Sequence, residues 1–385
     1  MSIRFNNYGE EEVLVSVILP CRNEEAALSL CLAEIKKVLA QENINGEIIV
    51  SDSSVDNSAR IAEELGVRLV KHDQAGYGLA CQQGFAAAKG KYLFLADADG
   101  TYDFKEIPRF LAEVSSGNDL VIGNRFAGKM EKGAMPFLNR YLGNPLLSTL
   151  FRLFFRLKII DVQSGMRAIT REALDKLDLR TLGMEFATEM MIKAAKAGLK
   201  VKEVAINYHK RQGKSKLKRW ADGWRHIRFM LLFSPLFLFF LPGLILFSLG
   251  ALLMFILYIG AFRIFGISFG YHPMFFASLL IISGYQLIIF SFFSKIYAIN
   301  HLRDQGEMVT KLYRYLTIEK ASLAGLIFIA LGAIIYGVIF FEWLKTGFGP
   351  LSEVKNSIIA LTLIVIGLQT IFSSFVLSIL GIKEK

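Results

Sequence analysis

The chain has 385 residues, of which 53% are hydrophobic, and a mean hydropathy of +0.42. This apolar fraction exceeds that of an ordinary soluble domain, and the excess lies beyond about Arg228. The net charge of +10 reflects a basic cluster just before the first long apolar run, which indicates a membrane surface and not a nucleic acid as partner. The three cysteines have no CxxC spacing, which argues against a disulfide scaffold and a zinc site.

Up to about His209, short apolar strands alternate with helical segments. The predicted strands are 13–19 (stopped by Pro20), 47–52, 67–71, 92–95 and 119–125, and the predicted helices are 24–40, 58–65, 77–89 and 107–114. This alternation predicts an α/β domain with a mostly parallel sheet covered on both faces, whose ligands bind at the carboxyl ends of the strands. The polar N-terminus shows no signal peptide, so we expect the domain in the cytosol.

The clearest candidate site follows the fourth predicted strand, in the stretch KYLFLADADGTYD. The strand delivers Asp97 and Asp99 to its C-terminal edge, and their two-residue spacing points both side chains to one side. Two unpaired carboxylates repel each other and need a cation. Oxygen ligands suit Mg²⁺ or Mn²⁺, and a diphosphate would supply further oxygens. A solvated acidic turn would show the same pattern, so the choice between a metal site and such a turn depends on the neighbouring segments.

Polar residues also end other predicted strands. The turn PCRNEE places Pro20 and Glu24 before a helix N-terminus, where backbone N–H groups can meet a nucleotide; an ordinary capping turn with Asn23 as the cap is the alternative. Asp52 is a candidate for recognising a base or a ribose. Together, the residues at strand C-termini are the strongest signal in this half of the chain: Asp52, Asp97, Asp99 and Arg125.

The segment from Met130 to Leu157 breaks the strand–helix rhythm, because apolar residues interleave there with arginines. It is typical either of a buried helical hairpin or of an amphipathic piece resting on a bilayer. The pattern favours the hairpin and leaves the other open.

Long apolar runs dominate the rest of the chain. We expect a cytosolic domain over residues 1–223, an interfacial amphipathic helix over 224–240, and a transmembrane domain over 241–385 with spans at about 242–262, 274–299, 321–341 and 357–380. The loop between the second and third spans holds most of the loop Lys and Arg residues, which predicts that this loop and both termini are cytosolic. The spans carry no Asp or Glu well inside the apolar core, which argues against a proton-coupled transporter.

The segments VSVILPCRNEE, EIIVSDSSVDNSA, GYGLACQQGFAAAKGKYLFLADADGTYD and VIGNRF follow one another in the order and spacing of the family 2 glycosyltransferases of the GT-A (Rossmann-like) fold. Downstream, DVQSGMRAI, GMEFATEMMIKAAKAGLKVKEVAINYH and GKSKLK resemble the polyprenyl-phosphate sugar synthases, such as dolichol-phosphate mannose and glucose synthases and their undecaprenyl-phosphate relatives. The resemblance covers about residues 13–228, and four C-terminal spans also occur in that group.

The resemblance implies a nucleotide sugar as donor and a polyprenyl phosphate as acceptor, in a cell or endoplasmic reticulum membrane, and it is compatible with a homo-oligomer. Asp97 and Asp99 would hold Mg²⁺ or Mn²⁺ on the diphosphate; Thr101 stands where some members have a glutamine as a further ligand. The implied nucleotide-binding residues are Pro20, Asn23, Glu24, Asp52 and Asp97. The implied contacts to phosphates and to the acceptor are Arg125, Arg140, Asn144, Ser164, Arg167, Lys210, Arg211 and Lys216, with Asp161 close to the reaction.

The chemistry itself favours an inverting transfer. A lipid phosphate is largely ionised near neutral pH and needs cationic side chains more than a general base, so Asp161 is a minor candidate for a base and a structural role suits it better. Two alternatives compete. A processive polysaccharide synthase would need a QxxRW motif, whereas Arg219–Trp220 here follows Lys216. A lipid-linked sugar flippase would leave the carboxylate pair without a task. GDP-mannose and UDP-glucose both remain as donors, with a slight preference for glucose.

Overall fold

The structure, a computed structural model, describes residues 13–213, 219–260, 262–264, 267–269, 271–301 and 317–380. The chain divides into two compact units, Met1–Phe233 and Ser234–Lys385, which we call the N-terminal and the C-terminal unit. The division falls after Phe233, whereas the sequence placed a domain end at residue 223.

A seven-stranded mixed sheet forms the centre of the N-terminal unit and confirms the expected α/β fold. The strands are β1 Val15–Cys21, β2 Gly46–Asp52, β3 Arg68–Lys71, β4 Tyr92–Leu95, β5 Leu120–Asn124, β6 Arg167–Thr170 and β7 Val201–Ala205, in the order β3-β2-β1-β4-β6-β5-β7. Only β6 runs antiparallel to its neighbours among these pairs. Pro20 lies within β1 and does not stop it, because β4 ends opposite Ile18 and leaves no ladder bond there for a proline to break.

Helices pack on both faces of this sheet. They are α1 Glu25–Gln41, α2 Ser58–Glu64, α3 Tyr77–Ala87, α4 Ile107–Ser115, α5 Asn144–Phe155, α6 Arg171–Leu177, α7 Phe186–Lys196 and α8 Arg219–Leu232. The alternation of side chains along β1 separates the two cores. Val17 joins Phe110 of α4 in one apolar cluster, whereas Ile18 joins Phe85 of α3 and Met190 of α7 in the other.

Parallel pairing brings the carboxyl ends of neighbouring strands to one edge. Cys21 at the end of β1 lies opposite Asp52 at the end of β2. Because β6 is antiparallel, it enters the sheet at this same edge, with Arg167 opposite Leu95 at the end of β4. The loop before β6 therefore lies next to the segment that carries Asp97 and Asp99.

The segment between Met130 and Leu157 forms one turn of π-helix, Asn139–Gly143, which continues into α5. Leu147 and Phe151 are buried on one side of α5, against the core. Other large apolar side chains of the segment are exposed: Phe137 (74%) and Leu138 before the π-helical turn, Tyr141 and Leu142 (59%) within it, and Leu146 and Leu153 on α5. The buried hairpin is therefore wrong for these residues, since an amphipathic helix with one open apolar face takes its place.

Helix α8 belongs to the N-terminal unit. Met230 is fully buried in the core shared with α7, and the His226 ring lies 2.7 Å from Thr188 Oγ1 of α7. Its other side exposes Trp224 and Leu232. The sequence predicted one helix over 224–240, whereas α8 ends at Leu232 and a separate π-helical turn, Leu236–Phe240, begins in the C-terminal unit.

The C-terminal unit contains α9 Leu241–Ile259, α10 His272–His301, α11 Ile318–Lys345 and α12 Val354–Leu380. Within the described residues, four helical stretches are long and apolar enough to cross a membrane: Leu236–Ile259, His272–Ile299, Ile318–Lys345 and Val354–Leu380. This confirms the expected four apolar helices. The first ends at Ile259 and not at residue 262, because a short hairpin follows, β8 Phe262–Ile264 and β9 Ile267–Phe269.

Small and polar residues line the contacts among these helices. A Cβ added at Gly243 would come within 2.8 Å of the Gly284 carbonyl oxygen, and one at Gly325 within 2.7 Å of the Gly367 carbonyl oxygen. Between α10 and α12, three side-chain pairs are hydrogen-bonded: Ser278–Thr362, Tyr285–Thr370 and Gln286–Gln369. Close backbones and polar pairs are how helices associate where lipid surrounds them.

Candidate active site

The turns that follow β1 and β2 are joined side by side. The Asn23 backbone N–H donates to Ser54 Oγ at 2.6 Å, and Asn23 Oδ1 accepts from the Val55 N–H at 2.9 Å. The Glu24 N–H donates to Ser58 Oγ at 3.0 Å. Asn23 therefore does not cap α1. It adopts a left-handed conformation, with φ of 53°, and holds the two turns together.

Asp52 is 3% exposed at the end of β2. Its carboxylate accepts hydrogen bonds from the backbone N–H (3.2 Å) and the hydroxyl of Ser54. This local turn fixes the carboxylate level with the end of β1 and next to the turn of Pro20 and Glu24. The expected nucleotide-binding residues thus come together at one corner of the sheet edge.

Asp99 divides its two carboxylate oxygens between different partners. Oδ1 accepts from the N–H (3.0 Å) and the hydroxyl (2.6 Å) of Thr101. Oδ2 lies 3.0 Å from a guanidinium nitrogen of Arg211. Thr101, which stands where some relatives carry a metal-binding glutamine, therefore orients Asp99 instead.

The Asp97 carboxyl has a raised pKa. Burial, and then the neighbouring charge of Asp99, raise the pKa of Asp97 to about 7. Arg211, a hydrogen bond from Tyr77 and Arg125 act in the opposite direction but do not offset this rise. A carboxylate held in such an environment marks a place where negative charge needs a cation.

The surroundings of this pair fit a divalent ion. A Cβ at Gly165 would lie 2.6 Å from Asp97 Oδ2, so the glycine leaves room beside that oxygen. Carboxylate oxygens are the donors that Mg²⁺ and Mn²⁺ prefer. In the part of the chain that the structure describes, no group of three His, Cys, Asp or Glu side chains is arranged to hold a metal, so Asp97 and Asp99 would act with oxygens from a ligand.

Arg125 and Asp161 form a buried pair. Nε and Nη2 of Arg125 each donate to the Asp161 carboxylate at 2.7 Å, and the Arg125 backbone N–H adds a third bond at 3.0 Å. Burial lowers the pKa of Arg125, but Asp161 raises it well above its ordinary value, so the guanidinium stays protonated. Asp161 is committed to this contact, which supports the structural role over that of a general base.

Arg167 lies in the core, 2% exposed. Its guanidinium donates to the carbonyl oxygens of Ser164 (2.9 Å), Ala187 (2.8 Å) and Val162 (3.0 Å). A buried side chain with three such bonds supports the loop before β6, so we correct its expected role from acceptor binding within the acceptor-side loop to support of that loop. Ser164 Oγ is buried in the same loop and has no hydrogen-bond partner among the described residues.

The segment Tyr208–Gln212, which we call the strap, runs along the carboxylate site. The His209 N–H donates to the Thr101 carbonyl at 2.9 Å, and the Gln212 N–H donates to the Asp99 carbonyl at 3.0 Å. Glu131 anchors the outer side of the strap by accepting from the His209 ring and from the Lys210 N–H. The strap therefore holds Arg211 beside the aspartate pair, whereas the Lys210 side chain lies next to Gly133.

The remaining predicted contacts lie elsewhere. Arg140 stacks on Tyr141 at 5.4 Å, and the Asn144 amide lies 3.4 Å from Met135 Sδ, so both make local contacts within the α5 segment. Lys216 lies outside the described residues.

Three tyrosines belong to the site and were missed from the sequence. Tyr77 hydrogen-bonds Asp97, and the Tyr102 hydroxyl accepts from the Gly165 N–H at 2.7 Å. The Tyr208 ring lies 5.3 Å from the Arg125 guanidinium carbon. These residues stand far apart in sequence, and no spacing pattern connects them; the position of Tyr102 within ADGTYD is the single available signal.

Comparison with known proteins identifies relatives of both units. The model of glycosyl transferase family 2 matches residues 16–178, and that of the glycosyltransferase family 2 C-terminal transmembrane region matches residues 293–381. The low-salt glycan biosynthesis hexosyltransferase of Haloferax volcanii is 36% identical over 369 residues, covering 95% of this chain and 89% of the relative.

Other relatives match about half of the chain. A dolichyl-phosphate hexose transferase of Haloferax volcanii is 32% identical, over 54% of this chain and 89% of the relative. The polyprenol monophosphomannose synthase of Mycolicibacterium smegmatis is 30% identical, over 52% and 80%. Among solved structures, glucosyl-3-phosphoglycerate synthase of Mycobacterium tuberculosis aligns with a TM-score of 0.47 and 22% identity, over 57% of this chain and 80% of that one.

Proposed function

Because this chain belongs to glycosyl transferase family 2, we propose that it transfers one hexose from a nucleotide sugar to a polyprenyl phosphate, with inversion, at the cytosolic face of a membrane. The observation that carries the proposal is the pair Asp97 and Asp99 at the end of β4, faced by a cationic strap. The relatives named as a dolichyl-phosphate hexose transferase and a polyprenol monophosphomannose synthase support this class of acceptor.

The donor would bind along the carboxyl ends of β1, β2 and β4. The joined turns present Pro20, Asn23, Glu24 and Asp52 at one corner, where the nucleoside would lie. The diphosphate would then point toward Asp97 and Asp99. These two residues would hold Mg²⁺ or Mn²⁺, which when bound offsets the charge that develops on the departing nucleoside diphosphate.

The acceptor would be met by cations and not by a base. Its phosphate carries between one and two negative charges near neutral pH, so the barrier that the protein has to lower is repulsion between two phosphorylated substrates. Asp161 already neutralises Arg125. The positive charge offered to the phosphate therefore comes from the strap, from Lys210 and Arg211, together with Lys216 and Arg140.

In this arrangement the phosphate oxygen attacks the anomeric carbon from the side opposite the departing diphosphate. Displacement in line inverts that carbon in one step, and no side chain has to form a covalent intermediate. The tasks left to the protein are positioning and charge compensation, which the rigid strand ends and the strap supply.

The experiment is a transfer assay with membranes that contain the full chain. Labelled GDP-mannose or UDP-glucose is added with a polyprenyl phosphate, and the label that enters the lipid phase is counted. We expect label from one of the two donors, abolished by Asp99→Ala and by chelation of divalent ions. The matched variant Asp175→Ala, at an exposed position on α6, should keep full activity. Transfer by Asp99→Ala at the normal rate would refute the role of the pair.

A further inference from the structure

Arg211 joins two carboxylates that the proposed function assigns to different ligands. One guanidinium nitrogen lies 2.5 Å from Glu24 Oε1, and the other terminal nitrogen lies 3.0 Å from Asp99 Oδ2. Glu24 follows β1 on the expected nucleotide side, and Asp99 follows β4 on the expected metal side. The guanidinium thus spans the gap between the two halves of the donor site.

The charges explain why a cation lies there. Arg211 lies between the carboxylates of Glu24 and Asp99 and compensates the negative charge of both. A divalent ion on Asp99 would perform the same compensation more strongly. An arginine and a divalent ion in contact with the same oxygen repel each other, so a metal on Asp99 Oδ2 would compete with Arg211 for this carboxylate.

We propose that Arg211 is an exchangeable internal cation, which gives up Asp99 to a divalent metal when the donor binds and is thereby released toward the phosphate of the acceptor. This inference rests on the proposed function, since that function supplies both ligands. It adds an order to the reaction: the donor and its metal bind first, and their binding frees the side chain that receives the acceptor.

The build of the strap suits such an exchange. Its backbone is fixed by the bonds from His209 to Thr101 and from Gln212 to Asp99, so the exchange requires the Arg211 side chain alone to move. That side chain is 25% exposed, and its Nε has no hydrogen-bond partner among the described residues. Arginine also suits the bridge because its planar fork reaches two carboxylates at once and later matches a phosphate.

The test measures metal binding and not turnover. The full chain in detergent is titrated with Mn²⁺ in the presence of a fixed concentration of GDP or UDP, which supplies the diphosphate oxygens, and the ion is followed by electron paramagnetic resonance against a titration of the nucleotide alone. Arg211→Gln should bind Mn²⁺ at least about fivefold more tightly than the unchanged chain, because the competing charge is gone. Lys132→Gln removes the same charge from an exposed position next to Glu131, which anchors the strap, and should change the affinity less than about twofold.

A third variant distinguishes failure of the Arg211 exchange from failure of the proposed metal site. Asp99→Asn should abolish the Mn²⁺ site in the unchanged chain and in Arg211→Gln alike. If Asp99-dependent binding is present but Arg211→Gln binds Mn²⁺ no more tightly, the exchange is refuted and the metal site stands. If the unchanged chain and Arg211→Gln bind Mn²⁺ without any dependence on Asp99, the metal role of the pair falls, and the exchange falls with it.

Discussion

Arg125 and Asp161 show how a charged pair can support a site without carrying out its chemistry. The carboxylate accepts three hydrogen bonds from one residue, and neither side chain is appreciably exposed. Removing one partner of such a pair leaves an uncompensated buried charge, which costs more than the intact pair contributes. The pair therefore fixes the loop before β6 against the end of β5.

We expect Asp161→Asn to lower the free energy of unfolding of the N-terminal unit by about 3–5 kcal/mol, because the Arg125 charge stays buried without its partner. The three cysteines, all buried in this unit, provide the readout, since their rate of labelling by a thiol reagent reports its unfolding. Asp175→Asn is the control at an exposed position. Equal labelling rates for both variants would contradict the assigned role.

The raised pKa of Asp97 predicts that replacing this residue stabilises the folded chain, by an amount that depends on pH. Its pKa is about 7 in the folded chain against 3.8 ordinarily, so its ionisation opposes folding. Between about pH 4 and about pH 7, the Asp97 carboxyl is ionised in the unfolded chain and largely protonated in the folded chain. The free-energy cost to folding therefore grows over this range to roughly 2–4 kcal/mol and then levels off. We expect Asp97→Asn to raise the midpoint of thermal unfolding at pH 8 and to raise it less at pH 5. The same thiol labelling, without divalent ions, measures this; a gain that is larger at pH 5 would contradict the argument.

The residues of the site could be predicted where the chain itself aligns them. Asp52, Asp97 and Asp99 stand at strand ends, and parallel pairing brings strand ends together. Arg167 was misassigned because the sequence shows its charge but not the three carbonyl oxygens that surround it. Tyr77 was missed because it begins α3, and only the tertiary fold brings the start of α3 next to the end of β4.

Among the elements, α5 combines a buried and an exposed apolar face. Leu147 and Phe151 face the core, whereas Phe137 and Leu142 are largely exposed. A soluble domain seldom leaves so many large apolar side chains uncovered on one face. Within the proposed function, this face would rest on the membrane that supplies the lipid acceptor.

We expect Leu142→Glu to lower the rate with a long polyprenyl phosphate in liposomes about tenfold, because placing a charge against lipid costs more than burying leucine contributes. The rate with a short, water-soluble prenyl phosphate in detergent should not change. Leu30→Glu, at an equally exposed position on α1 (60%), is the control and should affect neither acceptor. Equal losses with the long and the short acceptor would contradict membrane contact.

The elements themselves could be predicted where periodicity is strong. The first five strands and the helices between them lie within a few residues of their predicted bounds. The antiparallel β6 was not foreseen, because orientation depends on the path of the preceding loop and not on the composition of four residues. The sequence favoured a buried hairpin over a surface helix for the α5 segment, because interleaved arginines do not show which apolar side chains the core covers.

At the scale of the whole molecule, the four apolar helices set the side on which each loop lies. In the proposed topology all four helices cross the membrane, and an even number of spans would put the N-terminal unit and the chain between α10 and α11 on one side and the other two connections on the opposite side. The excess of Lys and Arg in the sequence between α10 and α11 favours the cytosol for the first side, as we propose. This orientation would place the carboxylate site where nucleotide sugars are made.

We expect a cysteine at Thr346, which follows α11, to react with a membrane-impermeant maleimide added to intact cells. A cysteine at the exposed Lys132 should react only after the cells are opened, because we place the N-terminal unit inside. The three native cysteines are buried and give little background. Labelling of the Lys132 position in intact cells would reverse the orientation and remove the proposed access to the donor.

The contacts among the membrane helices divide them into two hairpins. Glycines bring α9 close to α10 and α11 close to α12, whereas hydroxyl and amide pairs join α10 to α12. Each hairpin can therefore close as soon as its own two helices have entered the lipid, and the polar pairs fasten one hairpin to the other afterwards. A bulky residue at Gly325 would hold one hairpin open from the start, whereas loss of Thr362 would remove one of the polar pairs between the two hairpins and weaken their contact.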